Sequence, residues 1–242
     1  MRLDVYLFER GEAVSRTEAK NFITAGGVTV NGRVVIKPSF ELSGEETVSV
    51  DKSSKKYVSR GGLKLEGALR EFDIDVLNRD AIDIGASSGG FTDCLLKHGA
   101  KRVVAVDSGE GQMVNSLRED GRVTVIENYN ARYMKPDDLP FIPTLAVMDV
   151  SFISATYIIG PLSDCLMAGS DFVCLIKPQF EVGRSALSKG GIVKDEKARR
   201  SAVDKVTSYA HSVGFTLKKI IDSPITGGDG NREYLAHFVK EL

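Results

Sequence analysis

Apolar positions follow two different spacings along the chain. In the first 50 residues they recur at helical spacing in two segments, around 3–7 and 19–23, and then form three short β-branched runs, VTV, VVI and VSV. Asn31-Gly32 separates the first two runs and is a strong hairpin signal, because a type I′ turn needs positive φ at both positions. These residues predict a small α+β unit in which two helices precede a short sheet.

Beyond residue 80, short apolar runs alternate with amphipathic helical patterns. The runs lie at 81–85, 102–107, 122–127, 144–149 and 171–176, and FTLKKII and YLAHFV follow a polar helix predicted from about Asp195 to Ser212. Such alternation predicts an α/β fold with a doubly wound, mostly parallel sheet. The loop SPITGGDGNRE joins the last two strands and is short enough for an antiparallel return.

A polar stretch between these two patterns predicts a linker. We divide the chain into a unit at 1–50, a linker at 51–58 and a larger domain at 59–242.

Thirty-two basic and 33 acidic residues give a net charge of −1, so any basic surface must be local. No apolar run approaches ~18 residues, and Arg2, Asp4 and Glu9 disqualify the N-terminus as a signal peptide. We therefore expect a soluble, cytoplasmic protein with no membrane partner; nothing in the sequence indicates its oligomeric state.

Cysteine and histidine positions give no sign of a metal site. Cys94, Cys165 and Cys174 lie in apolar elements without C-x-x-C spacing and predict buried thiols in a reducing compartment. The three histidines lack ligand spacing and are expected at surface or strand positions. We expect neither a disulfide framework nor a bound metal.

The stretch AIDIGASSGGF at 81–91 indicates a strand, a tight turn and the start of a helix. Gly85, Gly89 and Gly90 place no Cβ in the way of a ligand, and the first amides of the helix are free donors. Asp107 ends the next strand about twenty residues on, where an acidic group would meet the hydroxyls of a ribose. The combination predicts a nucleoside cofactor; the alternative is a plain turn between strand and helix.

The identity of that cofactor depends on Ser87. A dinucleotide fingerprint has glycine there, so an NAD-linked oxidoreductase is disfavoured. The D-x-G-x-x-x-G-G-F loop with Asp107 resembles instead the S-adenosylmethionine (SAM) loop of Rossmann-like methyltransferases. The cofactor contacts that this resemblance implies are Asp83, Gly85, Ser87, Gly89, Gly90 and Phe91 at the methionine end, Asp107 at the ribose and Asn130 near the adenine. The alternatives are that Asp83 serves the hydrogen bonding of the turn and that Asn130 caps the loop before Pro136.

The N-terminal unit resembles an S4 domain, a module that lies on structured RNA in known families. The segments RLDVYLFERG and SRTEAKNFITAGGVTVNG, followed by a proline, carry this resemblance. This resemblance implies that the second helix and the hairpin contact RNA. Lysine and arginine residues in and after the linker form a separate local cluster of positive charge that would suit an RNA backbone. The candidate RNA-binding residues are Arg16, Lys20, Asn31, Arg33, Lys55, Lys56 and Arg60. The alternative for each is an ordinary solvated side chain.

Two charged residues end buried strands of the larger domain. Asp149 closes TLAVMD and Lys177 closes DFVCLIK, so both lie at the edge of the sheet where α/β proteins bind ligands. A charge at such a strand end is costly unless it is exposed or paired, so the two are predicted to face each other. The alternative to a catalytic pair is a structural ion pair.

Five motifs occur in the order found in TlyA-type proteins, also called the hemolysin A family: SRGGLKL, DIGASSGGFTDCLL, MDVSFIS, LIKPQFE and GNREYLAHF. These proteins join an S4 domain to an FtsJ-like, SAM-dependent 2′-O-ribose methyltransferase. The resemblance covers essentially the whole chain and places the Lys-Asp-Lys-Glu tetrad of FtsJ-like enzymes on Lys64, Asp149, Lys177 and Glu233. It implies methylation of cytidine in ribosomal RNA, with ribosomal RNA or ribosomal subunits as partners.

In-line methyl transfer explains why such an enzyme needs charged groups beside its cofactor. The ribose oxygen attacks opposite the departing sulfur and loses its proton as it does so. Lys177 is the candidate base or oxygen-positioning group, with Asp149 orienting it. A lysine acts as a base only after losing its own proton, which costs about 4 kcal/mol near pH 7.5. Lys64 would favour that loss and the two carboxylates would oppose it, so both roles stay open.

Two further interpretations compete with an RNA methyltransferase. A membrane-lysing protein, as the hemolysin name suggests, lacks a transmembrane stretch or a strongly basic amphipathic helix. A non-enzymatic RNA-binding or ribosome assembly factor with a vestigial SAM fold is disfavoured by the retained tetrad. Reading a base would require it to be unstacked, with Phe152 or Phe180 as a platform, although core packing is the expected position of each.

Overall fold

Two sheets with separate hydrophobic cores organise the chain in this computed structural model. The structure describes residues 1–13, 15–24, 26–51, 56–188, 190–227 and 230–241. Part of the predicted linker, including the candidate RNA contact Lys55, lies outside the described residues.

The N-terminal sheet carries two helices, as its sequence pattern predicts. Its elements are α1 (Leu3–Glu9), α2 (Arg16–Thr24), β1 (Val28–Val30), β2 (Arg33–Val34) and β3 (Val48–Val50). β1 pairs antiparallel with β2 on one side and β3 on the other. Asn31 and Gly32 have φ angles of 51° and 76°, which the predicted type I′ turn requires. Leu3, Leu7 and Ile23 are fully buried and join the helices to the sheet.

A buried carboxylate ties the two helices of this unit together. Asp4 on α1 is fully buried and accepts hydrogen bonds from Arg2 (2.9 Å) and Arg16 (3.1 Å). These hydrogen bonds, the one from Arg2 above all, lower the pKa of Asp4 to about 2. Arg16 therefore stabilises the packing of α2 on α1, while about half of its side chain (52%) stays exposed.

The larger sheet has seven strands. They are β4 (Asp80–Ile84), β5 (Arg102–Val106), β6 (Val123–Ile126), β7 (Leu145–Met148), β8 (Asp171–Ile176), β9 (Phe215–Asp222) and β10 (Tyr234–Lys240), in the order β6-β5-β4-β7-β8-β10-β9. Strands β4 to β8 pair in parallel, and β10 lies antiparallel between β8 and β9. The predicted mostly parallel sheet with an antiparallel return is confirmed.

Helices cover both faces of this sheet, which is the doubly wound arrangement. They are α3 (Gly61–Phe72), α4 (Gly90–Lys97), α5 (Asn115–Arg118), α6 (Thr156–Cys165), α7 (Pro178–Glu181) and α8 (Glu196–Ser212). α3 and α4 contribute to the core on one face, and α6 and α8 to the core on the other. The predicted helix at 195–212 is confirmed as α8, with Asp195 as its N-cap.

The strand order brings four distant positions to one edge of the sheet. Gly85 and Asp149 follow β4 and β7, and these strands pair in register to their last residues. Lys177 follows β8, and Glu233 precedes the antiparallel β10. Because Ile176 of β8 pairs with Tyr234 of β10, Lys177 and Glu233 lie at the same edge of the sheet. This edge is the one at which open α/β sheets bind ligands.

Arg60 connects the two parts of the chain. It directly precedes α3, and its Nη1 donates to the carbonyl of Gly26 in the N-terminal unit at 2.6 Å. Its Nη2 donates to the carbonyl of Thr226, in the loop before β10, at 3.0 Å. Tyr57 is buried on α3, where a Cβ at Gly62 would lie 2.3 Å from its ring. The end of the predicted linker is thus packed on the larger domain.

The three cysteines are buried free thiols, as predicted. Burial raises the pKa of Cys94 to about 12 and that of Cys165 to about 11, so both stay protonated at neutral pH. Among the described residues, no group of three His, Cys, Asp or Glu side chains is placed to hold a metal ion. In that same part of the chain, no helix has both the length and the apolar character to span a membrane.

Candidate active site

The loop after β4 passes its neighbours so closely that it excludes side chains. Gly85 has a φ of 82°, and a Cβ there would lie 2.4 Å from the carbonyl oxygen of Asp149. Gly89 has a φ of 97° at the N-cap of α4, and a Cβ there would lie 2.2 Å from Leu117 Cδ1. Glycine is the residue that fits both positions, and its use leaves the backbone of the loop open to a ligand.

A cavity of about 340 Å³ opens beside this loop, which is in the size range of small-molecule sites. Apolar and polar groups from the ends of β4 and β5 and from α6 line it, among them Ile84, Gly85, Ser87, Val106, Asp107, Gln112, Tyr129, Asn130 and Ile158. Asp107 accepts one backbone hydrogen bond on each oxygen, from Ser87 (2.8 Å) and Gly109 (2.7 Å). Each oxygen keeps a further lone-pair position for a donor such as a hydroxyl.

A smaller cavity of about 180 Å³ adjoins the first. Both cavities are lined by Gly85, Ser87, Asp149 and Ser151, and the smaller one adds Ser59, Ser88, Phe91 and Lys177. The nucleoside-sized space is therefore continuous with the charged residues at the ends of β7 and β8.

The predicted cofactor residues divide between the cavities and the structure that supports them. Gly85, Ser87, Asp107 and Asn130 line the larger cavity, and Phe91 lines the smaller one. Asp83 is fully buried beneath the loop, where burial raises its pKa to about 7 and Thr92 Oγ1 donates to its Oδ2 at 2.7 Å. Asn130 Oδ1 accepts from the Arg132 N–H (3.2 Å), so this residue both lines the cavity and caps a turn.

The two charged strand ends face each other, as predicted. Lys177 Nζ lies 2.5 Å from Asp149 Oδ1 and donates a hydrogen bond to Ser151 Oγ at 2.7 Å. At this distance the ammonium and the carboxylate are in direct, charge-assisted contact. The side chains of Lys177 and Asp149 are only 11% and 20% exposed, and charges interact more strongly there than in water.

The other two members of the tetrad form a second ion pair. Lys64 Nζ, from α3, donates to Glu233 Oε2 at 2.6 Å, and both side chains are buried. Neither residue lines the two cavities described above. The predicted tetrad is therefore organised as one pair facing the cavities and one pair packed between α3 and the loop before β10.

The structure adds polar groups that the sequence analysis did not single out. Ser151 holds the ammonium of Lys177, and its position two residues after Asp149 was a usable signal. Gln112 accepts from Ser87 Oγ (3.1 Å), and Tyr129 lines the larger cavity. Both of these lie in loops whose sequence carries no regular pattern, so nothing in the chain pointed to them.

Phe152 corrects one sequence-based expectation. Core packing was expected for it, but the residue is 92% exposed at the rim of the larger cavity. Its φ of 64° lies in the left-handed region, which bulky residues rarely adopt. Its ring centroid is 5.3 Å from that of half-buried Phe180, with the planes inclined by 50°. Strained backbone of this kind is concentrated at functional sites.

The candidate RNA contacts lie in different environments. On the N-terminal unit, Lys20, Asn31 and Arg33 are exposed, and Arg16 is exposed over about half of its side chain while it binds Asp4. Lys56 forms an ion pair with a glutamate of α3, and Arg60 binds the two carbonyls described above. The charges of these last two residues are thus partly used within the protein, and their predicted RNA contacts stay predictions.

Comparison with known proteins defines first the class and then the family. A SAM-dependent methyltransferase from Mesorhizobium loti aligns with a TM-score of 0.54 over 73% of this chain and 98% of that chain; at 15% identity this shows the fold alone. The fold is that of the SAM-dependent methyltransferase class. Residues 57–240 match the FtsJ-like methyltransferase family and residues 1–48 match the S4 domain. The chain belongs to the FtsJ-like methyltransferases that carry an S4 domain.

Two relatives resemble nearly the whole chain. The 16S/23S rRNA (cytidine-2′-O)-methyltransferase TlyA of Mycobacterium tuberculosis is 42% identical over 96% of this chain and 87% of that protein. A solved structure described as a hemolysin from Streptococcus thermophilus is 43% identical, with a TM-score of 0.80 over all of this chain and 88% of that one. These similarities confirm the predicted TlyA-type relationship.

Proposed function

We propose that this protein transfers the methyl group of SAM to the ribose 2′-OH of a cytidine in ribosomal RNA. The observation that carries the proposal is the Asp149–Lys177 pair, which lines a cavity continuous with a nucleoside-sized cleft. A positioned proton acceptor beside the cofactor is what transfer to a hydroxyl requires. The name of the M. tuberculosis relative gives cytidine 2′-O-methylation in 16S and 23S rRNA, and the S4 unit fits an RNA substrate.

The larger cavity fits the adenosine part of SAM. Asp107 keeps acceptor positions for two ribose hydroxyls, and Asn130 offers an amide beside the apolar wall at Ile84. Gly85 lines the cavity without a side chain, so its backbone is open to the methionine part. When bound, SAM supplies an electrophilic methyl group on a sulfonium. The protein's part is to hold the ribose oxygen in line with that group and to remove its proton.

Lys177 is the residue that we assign to the 2′-OH. Its ammonium has three N–H groups, of which one points to Ser151 Oγ while Asp149 holds the charge. A remaining position can meet the ribose oxygen, either as a donor or, after loss of its proton, as a base. Lys64 and Glu233 neutralise each other, so this second pair supports the site without adding net charge to it.

The S4 unit supplies affinity for folded RNA. Lys20, Arg33 and the exposed half of Arg16 offer cations for phosphate contacts, which position a protein on RNA without reading its sequence. A ribosomal RNA substrate places this activity in the cytoplasm.

Transfer to ribosomal subunits tests the proposal. The purified protein is incubated with tritiated SAM and with small and large subunits that lack the modification, and the labelled position is mapped by 2′-O-methyl sequencing. We expect label on the ribose of a cytidine in at least one subunit. Label on a base would contradict the proposal. The proposal would also fail if the protein binds SAM but labels neither subunit nor naked rRNA.

Phe152 is positioned to receive the base of the target nucleotide. Chemistry on a nucleotide within folded RNA requires it to leave its stack, and an exposed aromatic ring at the cavity rim offers a surface for the freed base. Stacking of this kind contributes ~1–3 kcal/mol per base. We expect Phe152→Ala to lower kcat for ribosomal RNA by about 10- to 100-fold.

Two controls separate stacking from other roles of Phe152. Calorimetry is expected to show unchanged SAM affinity for Phe152→Ala, and Phe152→Tyr is expected to restore most of the activity because it keeps the ring. Tyr209→Ala removes another exposed aromatic, on α8, and is expected to leave kcat unchanged. Equal activity of Phe152→Ala and the unaltered protein would exclude a stacking role.

A further inference from the structure

A further buried carboxylate lies behind the site and, like Asp83 and Glu233, lines neither cavity. Glu181 ends α7, and its side chain is 2% exposed. Its Oε1 accepts from the Ala155 N–H (2.7 Å), and its Oε2 accepts from Ser154 Oγ (2.5 Å) and from Lys205 Nζ (3.0 Å). Lys205, on α8, also donates to the carbonyl of Glu181 at 3.1 Å. The charge of the carboxylate is thus neutralised and its oxygens are hydrogen-bonded, which burial requires.

These contacts belong to a series that joins the segment after β7 to the segment after β8. Along the two segments, Lys177 contacts Asp149 and Ser151, Phe180 contacts Phe152, and Glu181 contacts Ser154 and Ala155. The contacts follow the same order in both segments. Phe152 therefore lies between two anchors, one made by Lys177 and the other by Glu181.

The anchor at Glu181 matters because Phe152 does not hold its own conformation. The left-handed backbone of a residue with a side chain costs ~1–2 kcal/mol, and the φ of Phe152 is 64°. The residue is almost fully exposed, so packing contributes little to keep it there. Hydrogen bonds to an ionised carboxylate are about twice as strong as neutral ones. The bonds from Ser154 and Ala155 to Glu181 fix the backbone directly after the strained position.

We propose that Glu181, held by Lys205, is a positioning residue that fixes the strained loop presenting Phe152 beside Lys177. This rests on the proposed function, in which Phe152 receives the base and Lys177 meets the ribose oxygen. Glu181 lines neither cavity, so its loss acts through the loop that carries Phe152 and misplaces this ring relative to Lys177, while the cofactor groups at Gly85 and Asp107 are left in place. A displacement of about 1 Å in a catalytic group lowers a rate by up to ~100-fold.

The loop can be observed directly, because the chain contains no tryptophan. Phe152→Trp places a single fluorescent reporter on the loop. In that background, Glu181→Gln keeps the size of the side chain but removes its charge, and Lys205→Met removes the counter-ion. We expect both substitutions to lower the fluorescence anisotropy of the reporter in the absence of RNA. Lys197→Met, at an exposed lysine on the same helix, is the matched control and is expected to leave the anisotropy unchanged.

Kinetics on the protein without the reporter separate positioning from general stability. We expect Glu181→Gln to lower kcat by about 10- to 100-fold, with KM for ribosomal RNA and Kd for SAM changed less than about twofold. Lys205 acts mainly through Glu181, to which it donates two hydrogen bonds, and it also donates to Ser154 Oγ at 3.3 Å. The double variant Glu181→Gln/Lys205→Met is therefore expected to be only slightly less active than Glu181→Gln. Lys205 is 46% exposed, so Lys205→Met provides the same comparison if Glu181→Gln does not fold.

Each outcome decides for or against the positioning role. Unchanged anisotropy and kcat in folded Glu181→Gln would overturn it, and so would a loss of SAM affinity that parallels the loss of kcat, which indicates a general structural role. If the unaltered protein transfers no methyl group to ribosomal RNA, the proposed function fails. The anisotropy of the reporter still decides, in that case, whether Glu181 holds the loop.

Discussion

Replacing Lys177 by methionine is expected to lower kcat for methyl transfer by about 10²- to 10⁴-fold, the range that positioned proton-transfer groups contribute. The physical reason is that the substitution removes the ammonium that lies 2.5 Å from Asp149 and lines the smaller cavity. The larger cavity does not include Lys177, so the Kd for SAM is expected to change by less than about threefold, under 1 kcal/mol. Single-turnover transfer to ribosomal subunits and calorimetry with SAM measure the two quantities.

The arginine variant distinguishes the two roles left open for Lys177. An arginine keeps the positive charge and the donors but is not deprotonated in proteins. If Lys177 acts as the base, Lys177→Arg is expected to be as inactive as Lys177→Met; if it only positions the ribose oxygen, Lys177→Arg retains part of the activity. Lys194→Met, at an exposed lysine in the loop before α8, is the control for loss of a positive charge outside the two cavities. Full activity in Lys177→Met would exclude both roles.

The second large effect is expected at Gly85. An alanine there places a Cβ 2.4 Å from the carbonyl oxygen of Asp149, a distance that requires backbone movement. The loop after β4 and the end of β7 form part of both cavities, so that movement distorts the proposed cofactor cleft and the Asp149–Lys177 pair together. We expect Gly85→Ala to weaken SAM binding by at least about 100-fold, which corresponds to ~2.7 kcal/mol. Calorimetry with SAM measures it.

Gly169 offers a matched control for the backbone angle. Its φ is also 82°, but a Cβ there has no heavy atom within 4 Å. Gly169→Ala therefore carries only the ~1–2 kcal/mol of left-handed strain, which urea unfolding would register without a change in SAM affinity. Comparable SAM affinity in Gly85→Ala and Gly169→Ala would show that the close approach at Asp149 has no part in cofactor binding.

The sheet, and the edge at which Asp149 and Lys177 meet, could be predicted because they depend on local rules. The strands are short apolar runs bounded by turn residues, and alternation with helices implies parallel pairing. Parallel pairing in turn brings strand ends to one edge, so Asp149 and Lys177 could be expected to meet, and they do. The Asn31-Gly32 turn followed from the same kind of local chemistry.

The exposed position of Phe152 and the pairing of Lys64 with Glu233 could not be predicted from the sequence, because both depend on contacts between distant segments. An aromatic residue among apolar neighbours, as Phe152 is in MDVSFIS, has the same pattern as a core residue. The loop that exposes Phe152 is held by a hydrogen bond from the Ala155 N–H to Glu181, a residue 26 positions away. No local pattern in the sequence indicates that contact. Lys64 and Glu233 are 169 positions apart, and a glycine-rich loop of undefined path precedes Glu233, so their direct pairing had no local signal.

Arg60 has a consequence for how this architecture tolerates sequence change. Its guanidinium binds two main-chain carbonyls, those of Gly26 and Thr226. Every residue type carries a main-chain carbonyl, so substitution at an acceptor position keeps the acceptor as long as the backbone path is kept. Within the described residues, this contact between the two parts of the chain therefore depends on the identity of one side chain, that of Arg60. Substitution at Thr226 keeps this contact, whereas Gly26, with a φ of 71°, favours glycine. An N-terminal unit exchanged between homologues would supply one of the two acceptors, and the larger domain would keep Arg60 and the other.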